Sequence, residues 1–373
     1  MDIGIVGCAV AGAYAASMLA RQGHRIVAFE RLPDREKPCG GGVTEKAISA
    51  FDEIRDLSAP FRAVKKLTVV SAGGTIAHTP VDRPFRIYSR SALDSALRDM
   101  AQNAGAIILK ENVRSIEKNS GRWTINGSRQ FDFLVGAGGY ADPVARYFGR
   151  SFRPADTAPM VGYFAPGDFG DHVVIRLLKH FPGYIWIFPR TDHASIGLMA
   201  PGDKMHAPSA YRVLDAFVAR YFPDVDIKGA TRFGAPAPMI MHNHRLDPPI
   251  CGADWALIGD AAGLCDPMTG EGIYHALTSA RLLARSLAEG DPLSYASKID
   301  ETVRSELYKA TRLKRKFFRG WLSEASIYLM KRSAACGGVA RDFIAGSQDY
   351  RTLRPVTIRV LPSIFFEALS PFR

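Results

Sequence analysis

A glycine–aspartate pair and a second glycine cluster follow a short apolar run, and their types and spacing suit ligand binding. Trp255–Ile258 predicts a buried strand that ends in Gly259–Asp260, and Gly270–Gly272 opens a helical pattern at Ile273. A carboxylate at a strand end accepts hydrogen bonds from hydroxyls, and the free N–H groups at a helix start attract negative charge. The stretch therefore suits a ligand rich in hydroxyls and partial negative charge, although an ordinary strand-to-helix turn has the same pattern.

The first thirty residues predict a strand–helix–strand unit of the kind that binds dinucleotides. Ile3–Val6 predicts a buried strand, Gly7–Gly12 a tight turn, Ala13–Gln22 an alanine-rich helix and His24–Glu30 a second strand that ends in an acid. Any one of these features is weak evidence, but their order and spacing together favour dinucleotide binding.

The turn matches a GxGxxG pattern at its first and third glycines, Gly7 and Gly12, and carries Ala9 at the second. The first glycine makes the turn, the third lets helix and strand pack closely, and the middle position meets the pyrophosphate. Glu30 comes 18 residues after Gly12, where an acid holds the ribose hydroxyls of an adenine dinucleotide. Of FAD and NAD, the element at Gly259–Asp260 favours FAD, whose long body needs several contact points.

Three successive glycines after Cys39 form residues 39–42, which we call the CGGG loop. Because Gly40 and Gly42 carry no side-chain bulk, the backbone there can approach a flat ring or a phosphate. A flexible linker is the alternative interpretation. Arg90 lies just before a predicted helix, Ser91–Ala104, and either reaches a phosphate or is a solvated charge.

Three aromatic residues, Tyr184, Trp186 and Phe188, alternate with isoleucines along a predicted strand. Alternation places all three on one face of the strand. That face forms either part of an aromatic core or the wall of an apolar ligand cavity.

The composition is that of an ordinary soluble globular protein in a reducing compartment. The 373 residues are 47% hydrophobic and 23% charged, and the five cysteines contain no CxxC pair. This argues against a disulfide scaffold or a zinc ribbon, and no metal site is predicted. The first residues lead directly into a strand and no apolar run is long enough to span a membrane, so a cytoplasmic location is expected.

The basic character of the chain restricts the partners that it can have. The net charge is +11 and the pI is near 9.5. An anionic cofactor, an anionic membrane surface and a simply basic soluble protein all fit this charge. Nucleic acid is not predicted as a partner, because no stretch matches a nucleic-acid reader motif.

The predicted fold class is α/β: a Rossmann-like FAD-binding domain, an inserted and mostly antiparallel β-sheet substrate domain, and a C-terminal helical region. Residues 1–70, 90–150 and 246–295 are assigned to the first, residues 71–89 and 151–245 to the second, and residues 296–373 to the third.

Within the helical region, the segment 311–332 is basic and aromatic together. Its apolar side chains can share one face, with Lys314 and the other basic residues elsewhere. The segment is either an interfacial membrane helix or a core helix with a solvated charged edge. Leu353–Pro371 is expected to be a packed apolar tail.

These motifs together resemble the geranylgeranyl reductase family, a branch of the flavoprotein monooxygenase superfamily with the p-hydroxybenzoate hydroxylase architecture. The resemblance extends over roughly residues 1–290. The CGGG loop and the YxWxFP strand single out the reductase branch, whereas the glycine–aspartate element marks only the superfamily. The matching pieces are the Gly7–Gly12 turn, Lys37–Gly42, Arg90, Asp132–Gly138, Pro182–Pro189 and Gly259–Ile273.

The resemblance implies that one FAD molecule is held by residues from the whole length of the match. Its adenosine and pyrophosphate half is assigned to Gly7, Ala11, Gly12, Glu30, Arg90 and the backbone of Val113. The flavin half is assigned to Cys39, Gly40, Gly42, Asp260, Gly270, Gly272 and Ile273.

The reacting centre and the substrate cavity are implied in the same way. Cys39 is the residue named beside the reacting centre, as proton donor or as shape element. Tyr184, Trp186 and Phe188 line the substrate cavity. The departures from the family pattern are Ala9, Cys265 and Gly138–Gly139, where the superfamily often has an aspartate before glycine.

Three functional hypotheses follow from the resemblance. The first is an FAD-dependent oxidoreductase of lipid biosynthesis that saturates isolated C=C bonds of prenyl chains with hydride from the reduced flavin N5. Its partners are an apolar isoprenoid or lipid substrate, NADPH or ferredoxin as electron donor, and a membrane surface contacted through residues 311–332. The second is a flavin monooxygenase, or a halogenase, for a small aromatic or polyketide-like substrate. The third is a non-catalytic flavin- or lipid-binding protein.

Overall fold

The computed structural model of this chain describes residues 1–81, 85–179, 182–223, 225, 227, 229–239, 249–318 and 321–369. Arg319 and Gly320 of the predicted segment 311–332, and the end of the predicted apolar tail after Leu369, lie outside the described residues.

The strands are, in chain order, β1 (Asp2–Val6), β2 (Arg25–Phe29), β3 (Gly42–Val43), β4 (Phe61–Ala63), β5 (Lys66–Val70), β6 (Ile76–Pro80), β7 (Arg86–Tyr88), β8 (Ile107–Leu109), β9 (Ile116–Asn119), β10 (Arg122–Ile125), β11 (Arg129–Phe131), β12 (Phe133–Gly136), β13 (Thr157–Pro166), β14 (His172–Leu177), β15 (Tyr184–Pro189), β16 (His193–Met199), β17 (Thr231–Pro238), β18 (Cys251–Gly252) and β19 (Trp255–Leu257).

The α-helices are, in chain order, α1 (Val10–Arg21), α2 (Glu45–Ala50), α3 (Asp52–Arg55), α4 (Arg90–Asn103), α5 (Pro143–Tyr147), α6 (Ala207–Tyr221), α7 (Ile273–Ala288), α8 (Ser294–Ile299), α9 (Ser305–Phe317), α10 (Trp321–Arg332), α11 (Ala334–Ile344) and α12 (Tyr350–Leu369). Short 3-10 turns cover Gly139–Ala141, Pro154–Asp156 and Gly259–Ala262, and a π-helical turn covers Asp300–Arg304.

The N-terminal unit belongs to a six-stranded sheet with the order β18-β19-β12-β1-β2-β8. All neighbours in it run parallel except β18 and β19. The helices α1, α4 and α5 pack on its strands, which are mostly apolar, and Ile3, Ile5 and Leu134 are fully buried. Parallel strands end at the same edge of a sheet, which brings the turn after β1 next to the turns after β12 and β19.

A second sheet has seven strands in the order β17-β13-β16-β15-β14-β5-β6. Its neighbours are antiparallel except β14 and β5. β5 lies inside the range 1–70, which the sequence assigned to the FAD-binding domain, yet it pairs with β14 of this sheet. The hairpin of β5 and β6 is therefore a whole unit of the second sheet, and the predicted boundary at residue 70 cuts through it.

The strand β17 was not predicted, and it contains Pro236 and Pro238, which cannot donate to a sheet ladder. It lies at the sheet's edge, where only one side is paired to β13. A proline whose missing N–H would face away from the partner strand is tolerated at an edge.

The C-terminal region is helical, as predicted, but it is divided differently. The segment 311–332 is not one helix: α9 ends at Phe317 and α10 begins at Trp321. α10 and α11 pack on β6, and α12 packs on α9, α10 and α11. The expectation of a packed tail after Leu353 is wrong, because α12 leaves most of its side chains exposed. Among the described residues, no helix combines the length and apolar character needed to cross a membrane.

Candidate active site

In the first glycine turn, no side chain fits at Gly7 or Gly12, the two glycines that match the GxGxxG pattern. Gly7 has φ +92°, and a Cβ there would lie 2.6 Å from the Cα of Gly138. A Cβ on Gly12 would lie 1.9 Å from the carbonyl oxygen of Gly7. Ala9 is accommodated as the residue before α1, with φ −83°, and it lines a large cavity together with Ala11. The departure at Ala9 is therefore compatible with the turn's backbone.

Glu30 lies at the end of β2, directly beside this turn. Its carboxylate accepts hydrogen bonds from the N–H groups of Cys8 (2.9 Å) and Leu32 (3.0 Å). The side chain thus fixes the turn to the end of the strand. Arg31 and Arg35, which follow it, line the cavity and were not predicted. The ribose contact predicted for Glu30 stays a prediction.

The CGGG loop packs tightly and is not a flexible linker. A Cβ on Gly40 would lie 2.1 Å from the ring of Phe188. Gly41 has φ +81°, and its Cβ would lie 2.0 Å from the carbonyl oxygen of Tyr88. A Cβ on Gly42 would lie 3.0 Å from the ring of Phe85. The whole loop lines the cavity, so its backbone is presented to whatever the cavity holds.

A fully buried arginine, Arg190, anchors the CGGG loop to the second sheet. Its guanidinium donates to the carbonyl oxygen of Cys39 (2.7 Å) and forms an ion pair with Glu36. Ser195 Oγ donates to the same carbonyl at 2.9 Å and accepts from the indole N–H of Trp186 at 3.1 Å. Burial lowers the pKa of Arg190, which Glu36 only partly offsets. The loop and the aromatic strand are therefore one connected unit.

Glu36 joins this unit to helix α4. Its carboxylate accepts from the N–H groups of Arg90 (2.7 Å) and Ser91 (3.0 Å) and from the hydroxyl of Ser91 (2.7 Å). Burial raises the pKa of Glu36, but Arg190 and Ser91 outweigh it and the pKa is lowered. Neither Glu36 nor Arg190 was predicted. The only signal for Arg190 was its place directly after the YxWxFP strand.

Arg90 lines the cavity, but its guanidinium is occupied within its own helix. It is buried and binds both carboxylate oxygens of Asp94, four residues on, at 2.9 Å. Burial lowers its pKa, while Asp94 and Cys39 raise it, and the net result is above the ordinary value. Of the two interpretations from sequence, the solvated charge is excluded.

Val113 is partly buried against the main core and is not among the residues that line the cavity. The backbone contact predicted for Val113 stays a prediction, and the residue lies away from the cavity wall.

The glycine–aspartate element forms the wall of the cavity next to the first turn, and a Cβ on Gly259 would lie 3.1 Å from the Cβ of Ala11. Gly259 has φ +58° and opens the 3-10 turn that carries Asp260. Gly270 has φ +75°, and its Cβ would lie 2.7 Å from the hydroxyl of Tyr184. Helix α7 begins at Ile273 with Gly272 before it, and no side chain caps its first N–H groups. Asp260, Gly270, Gly272 and Ile273 all line the cavity.

A buried polar cluster that the sequence did not reveal stabilises the loop between these two glycine elements. Asp266 accepts from the N–H groups of Met268 (2.7 Å) and Thr269 (3.0 Å) and from the hydroxyl of Tyr350 (2.8 Å). Lys314, expected on a solvated edge, is instead buried and donates to the carbonyl oxygen of Pro267 (2.6 Å). Burial lowers its pKa to about 8.

Two titratable residues flank the start of α7. Glu271 accepts from the hydroxyl of Thr44 (2.6 Å), and burial raises its pKa to about 7. His275 lines the cavity, burial lowers its pKa to about 3, and its Nδ1 has no hydrogen-bond partner among the described residues. Neither was predicted. His275 is therefore a neutral imidazole with an unused polar atom at the cavity wall.

Tyr184, Trp186 and Phe188 all line the cavity, and the substrate contact that the resemblance implies for them stays a prediction. They are also packed: the Tyr184 hydroxyl donates to the carbonyl oxygen of Thr269, and the Trp186 ring stacks over Phe233 with centroids 6.5 Å apart. The same face of the strand therefore packs against neighbouring residues and lines the cavity. Its apolar face is held rigidly against the loop that precedes α7.

One cavity of about 760 Å³ joins the first turn, the CGGG loop, the aromatic strand and the start of α7, and the predicted residues Gly7, Gly12 and Glu30 are not among its lining residues. One part is lined by the glycine turns, the CGGG loop and the start of α7. The other part is lined by the aromatic strand and by apolar side chains of the C-terminal helices, among them Leu313, Phe317, Ile327, Met330, Phe343 and Leu353. Within the described part of the chain, no group of His, Cys, Asp and Glu residues is arranged to hold a metal ion.

Comparison with curated proteins gives relatives over most of the chain. A chloroplastic geranylgeranyl diphosphate reductase from Oryza sativa subsp. japonica is 28% identical, with 78% of this chain and 67% of that protein covered. A digeranylgeranylglycerophospholipid reductase from Methanothrix thermoacetophila is 23% identical, with 98% of both chains covered. This chain resembles the geranylgeranyl reductases. The predicted resemblance is confirmed, and no protein-family model matches the chain.

Solved structures show the same fold. A geranylgeranyl bacteriochlorophyll reductase-like protein from Thermoplasma acidophilum superposes with a TM-score of 0.76 at 19% identity, covering 96% of this chain and 99% of that one. The predicted fold class is confirmed by this match and by the two sheets and the helical region. The predicted enzyme class, an FAD-dependent oxidoreductase, and the predicted cofactor, FAD, agree with the reductase relatives of this chain.

Proposed function

We propose that this chain is an FAD-dependent reductase that saturates isolated C=C bonds in prenyl chains of the geranylgeranyl type. The observation that carries the proposal is one cavity with two parts. We call the part lined by the glycine turns, the CGGG loop and the start of α7 the cradle. We call the apolar part beneath α9–α12 the chamber. A cofactor in the cradle and a hydrocarbon chain in the chamber would meet at the CGGG loop. The reductase names of the relatives support the same class of substrate.

The residues of the cradle fit FAD on structural grounds. The helices α1 and α7 both begin at the cavity, neither has a side-chain cap, and neither has an acid in its first turn. Their free N–H groups suit a pyrophosphate at one end and an electron-rich ring edge at the other. Gly7, Gly12 and Gly40 hold positions where any Cβ would collide. Asp260, between the two helix starts, is placed to accept from ribityl hydroxyls.

Bound and reduced FAD supplies hydride. The chain's own residues then have to position the alkene and exclude water, because an unactivated C=C bond develops no oxyanion for the protein to stabilise. The rings of Tyr184, Trp186 and Phe188 provide a dry wall for this. Cys39 lines the cavity, and its carbonyl is held by Arg190 and Ser195. We assign Cys39 the place beside the reacting carbon, where it donates the proton or shapes the site.

The electron donor is NADPH or ferredoxin. Among the described residues, the sheets contain no second strand–helix–strand unit that could form a separate NADPH-binding site. Reduction by either donor then takes place at the same cradle.

The test is anaerobic incubation of the dithionite-reduced, FAD-loaded protein with geranylgeranyl lipids, followed by mass spectrometry of the extracted lipid. The expected product gains two mass units for each reduced bond. Protein loaded with FAD but not reduced is the matched control. Unchanged lipid after incubation with the reduced protein contradicts the proposal.

The alternative is a flavin monooxygenase or halogenase, since one fold serves both chemistries. It predicts oxygen uptake and NADPH consumption that an aromatic substrate stimulates. The proposed reductase predicts that prenyl lipid, and not an aromatic compound, reoxidises the reduced protein when oxygen is absent.

A further inference from the structure

Helix α12 carries an apolar face that no other part of the described chain covers. Five of its large apolar side chains are between 38% and 80% exposed, namely Ile358, Leu361, Phe365, Phe366 and Leu369. Their spacing of three or four residues, with the adjacent pair 365 and 366, places them on one side of the helix. We call these five residues the α12 face. An exposed apolar stripe of this length marks an interaction surface.

An adjacent side of the same helix faces the cavity. Tyr350, Leu353 and Thr357 line it, and Ile364 is buried. α12 therefore stands between the apolar chamber and the exterior. Anything that docks on the α12 face lies one helix diameter from the chamber, about 10 Å.

Positive charge surrounds the α12 face. Residues 305–369 contain twelve lysines and arginines and five acidic residues. Arg354 and Arg359 are exposed on α12, and Arg312, Arg315 and Lys316 are exposed on α9, which packs on α12. An apolar stripe bordered by cations matches the boundary between the acyl chains and the headgroups of an anionic bilayer.

We propose that the α12 face docks on the surface of an anionic phospholipid bilayer. Two further features favour a bilayer over a second copy of the chain. The only acid of α12, Glu367, binds Ser333 and the N–H of Ala335, so a second copy would bring arginines against arginines. Trp321, on α10, is 75% exposed, and amphipathic aromatic side chains are favoured at the level of the headgroups.

The docking differs from the membrane contact predicted from sequence. In the segment 311–332 the apolar residues Leu313, Phe317, Phe318 and Leu322 line the cavity and do not form an external face. The apolar surface for the bilayer is instead supplied by the tail that was expected to be packed, and the segment 311–332 contributes the exposed Trp321. That α12 passes a lipid substrate into the chamber rests on the proposed function, but the docking itself does not.

The test is flotation of the FAD-loaded full chain with vesicles of phosphatidylcholine and phosphatidylglycerol in a 70:30 ratio, compared with pure phosphatidylcholine vesicles. The double variant Phe365→Ser/Phe366→Ser is expected to bind the mixed vesicles about tenfold more weakly or worse. Arg354→Gln and Arg359→Gln are each expected to weaken binding about fivefold at low salt. The control Ile107→Ser/Leu293→Ser, which changes two exposed apolar residues elsewhere, is expected to bind as the wild type does. Circular dichroism checks that each variant is folded.

Equal binding by the wild type and the Phe365/Phe366 variant, or no binding by the wild type, overturns the proposal. Self-association of the wild type in sedimentation that this variant abolishes, without vesicle binding, overturns it in favour of a second copy. If vesicle binding follows the expected pattern while the reduced protein leaves geranylgeranyl lipid in detergent unchanged, the proposed function fails and the docking stands.

Discussion

Arg190 is the residue on which the arrangement of the CGGG loop depends most. It has no exposed side-chain surface, and from the end of β15 it reaches both Glu36 and the carbonyl oxygen of Cys39. A buried cation is tolerated only when its charge and its donors are matched. Here Glu36 and the carbonyl oxygen of Cys39 match its charge and its two terminal nitrogens, while its Nε has no hydrogen-bond partner among the described residues.

Replacement of Arg190 by leucine should therefore do more than remove one ion pair. It removes the counter-charge of Glu36 and one of the two donors to the carbonyl oxygen of Cys39, and the free energy of unfolding should fall by about 3 kcal/mol. Urea denaturation measures this, and the variant should also bind FAD more weakly because the loop is released. The control Arg55→Leu, at an exposed pair with Asp52, should change stability little. Equal stability of the two variants would contradict the account.

Glu271 makes the free energy of unfolding depend on pH. Its pKa is raised from 4.5 to about 7. Between these pH values the folded chain binds more protons than the unfolded chain, so this group's contribution to the free energy of unfolding falls as the pH rises.

The variant Glu271→Gln removes that contribution. Relative to the variant, the wild type should lose about 1.4 kcal/mol per pH unit between pH 5 and pH 7, and no more above that range. Urea denaturation of both proteins across this range measures the difference. Parallel stability profiles would show that the carboxyl group is not held in its protonated form.

Cys39 has two assigned roles that substitution can separate. If its thiol donates the proton, Cys39→Ala should slow single-turnover reduction of the alkene at least about a hundredfold, and Cys39→Ser should recover part of the rate. FAD binding, followed by flavin fluorescence, should be unchanged in both variants. Equal rates for the wild type and Cys39→Ala would leave the residue a role in shape alone.

At the scale of elements, the CGGG loop and strand β15 act as one rigid piece. Gly40 and Phe188 touch so closely that Gly40→Ala must displace either the ring or the loop. The expected result is a dissociation constant for FAD raised at least about tenfold, measured by fluorescence titration. The second change Phe188→Ala should restore part of the affinity by making room for the methyl group.

Gly234→Ala is the matched control, because a Cβ there would have its nearest neighbour at 3.9 Å. Neither Gly40 nor Gly234 has the positive φ that strains other residues. It should leave FAD affinity unchanged. If both alanine variants bind FAD as the wild type does, the loop is not the tight element described here.

Elements with a strong local pattern could be predicted from the sequence, and those defined by distant contacts could not. The unit of β1, α1 and β2 could be predicted from its glycines, its alanine-rich helix and its terminal acid, all within thirty residues. β17 was missed because its prolines are tolerated only at an edge, and the edge is a property of the whole sheet. The packing of α10 on β6, and of α9 and α10 on α12, joins residues far apart in the chain, which no local pattern records.

The same distinction holds for the site. The glycines and aromatic residues that line the cavity could be predicted because backbone approach and strand alternation leave a sequence signal. Arg190, Glu36, Asp266 and Lys314 could not, since each looks like an ordinary surface residue until residues far along the chain bury it. Lys314 and Asp266, for example, are 48 residues apart and meet only through the loop before α7.

At the scale of the whole molecule, two sheets and a helical layer enclose one cavity whose ends differ in chemistry. The parallel sheet brings three turns to one edge, and these form the cradle. The antiparallel sheet and the C-terminal helices form the apolar chamber. The proposed reaction takes place at their junction, beside the CGGG loop. The proposed contact with the bilayer is made by α12.

The most direct test of this central claim is anaerobic reoxidation of the reduced, FAD-loaded protein, followed by the return of oxidised-flavin absorbance. The account predicts that geranylgeranyl lipid restores this absorbance, with one flavin reoxidised for each C=C bond saturated, and that a fully saturated lipid of the same length does not. An absorbance that stays at the reduced level with the unsaturated lipid, in protein that air still reoxidises, would contradict it.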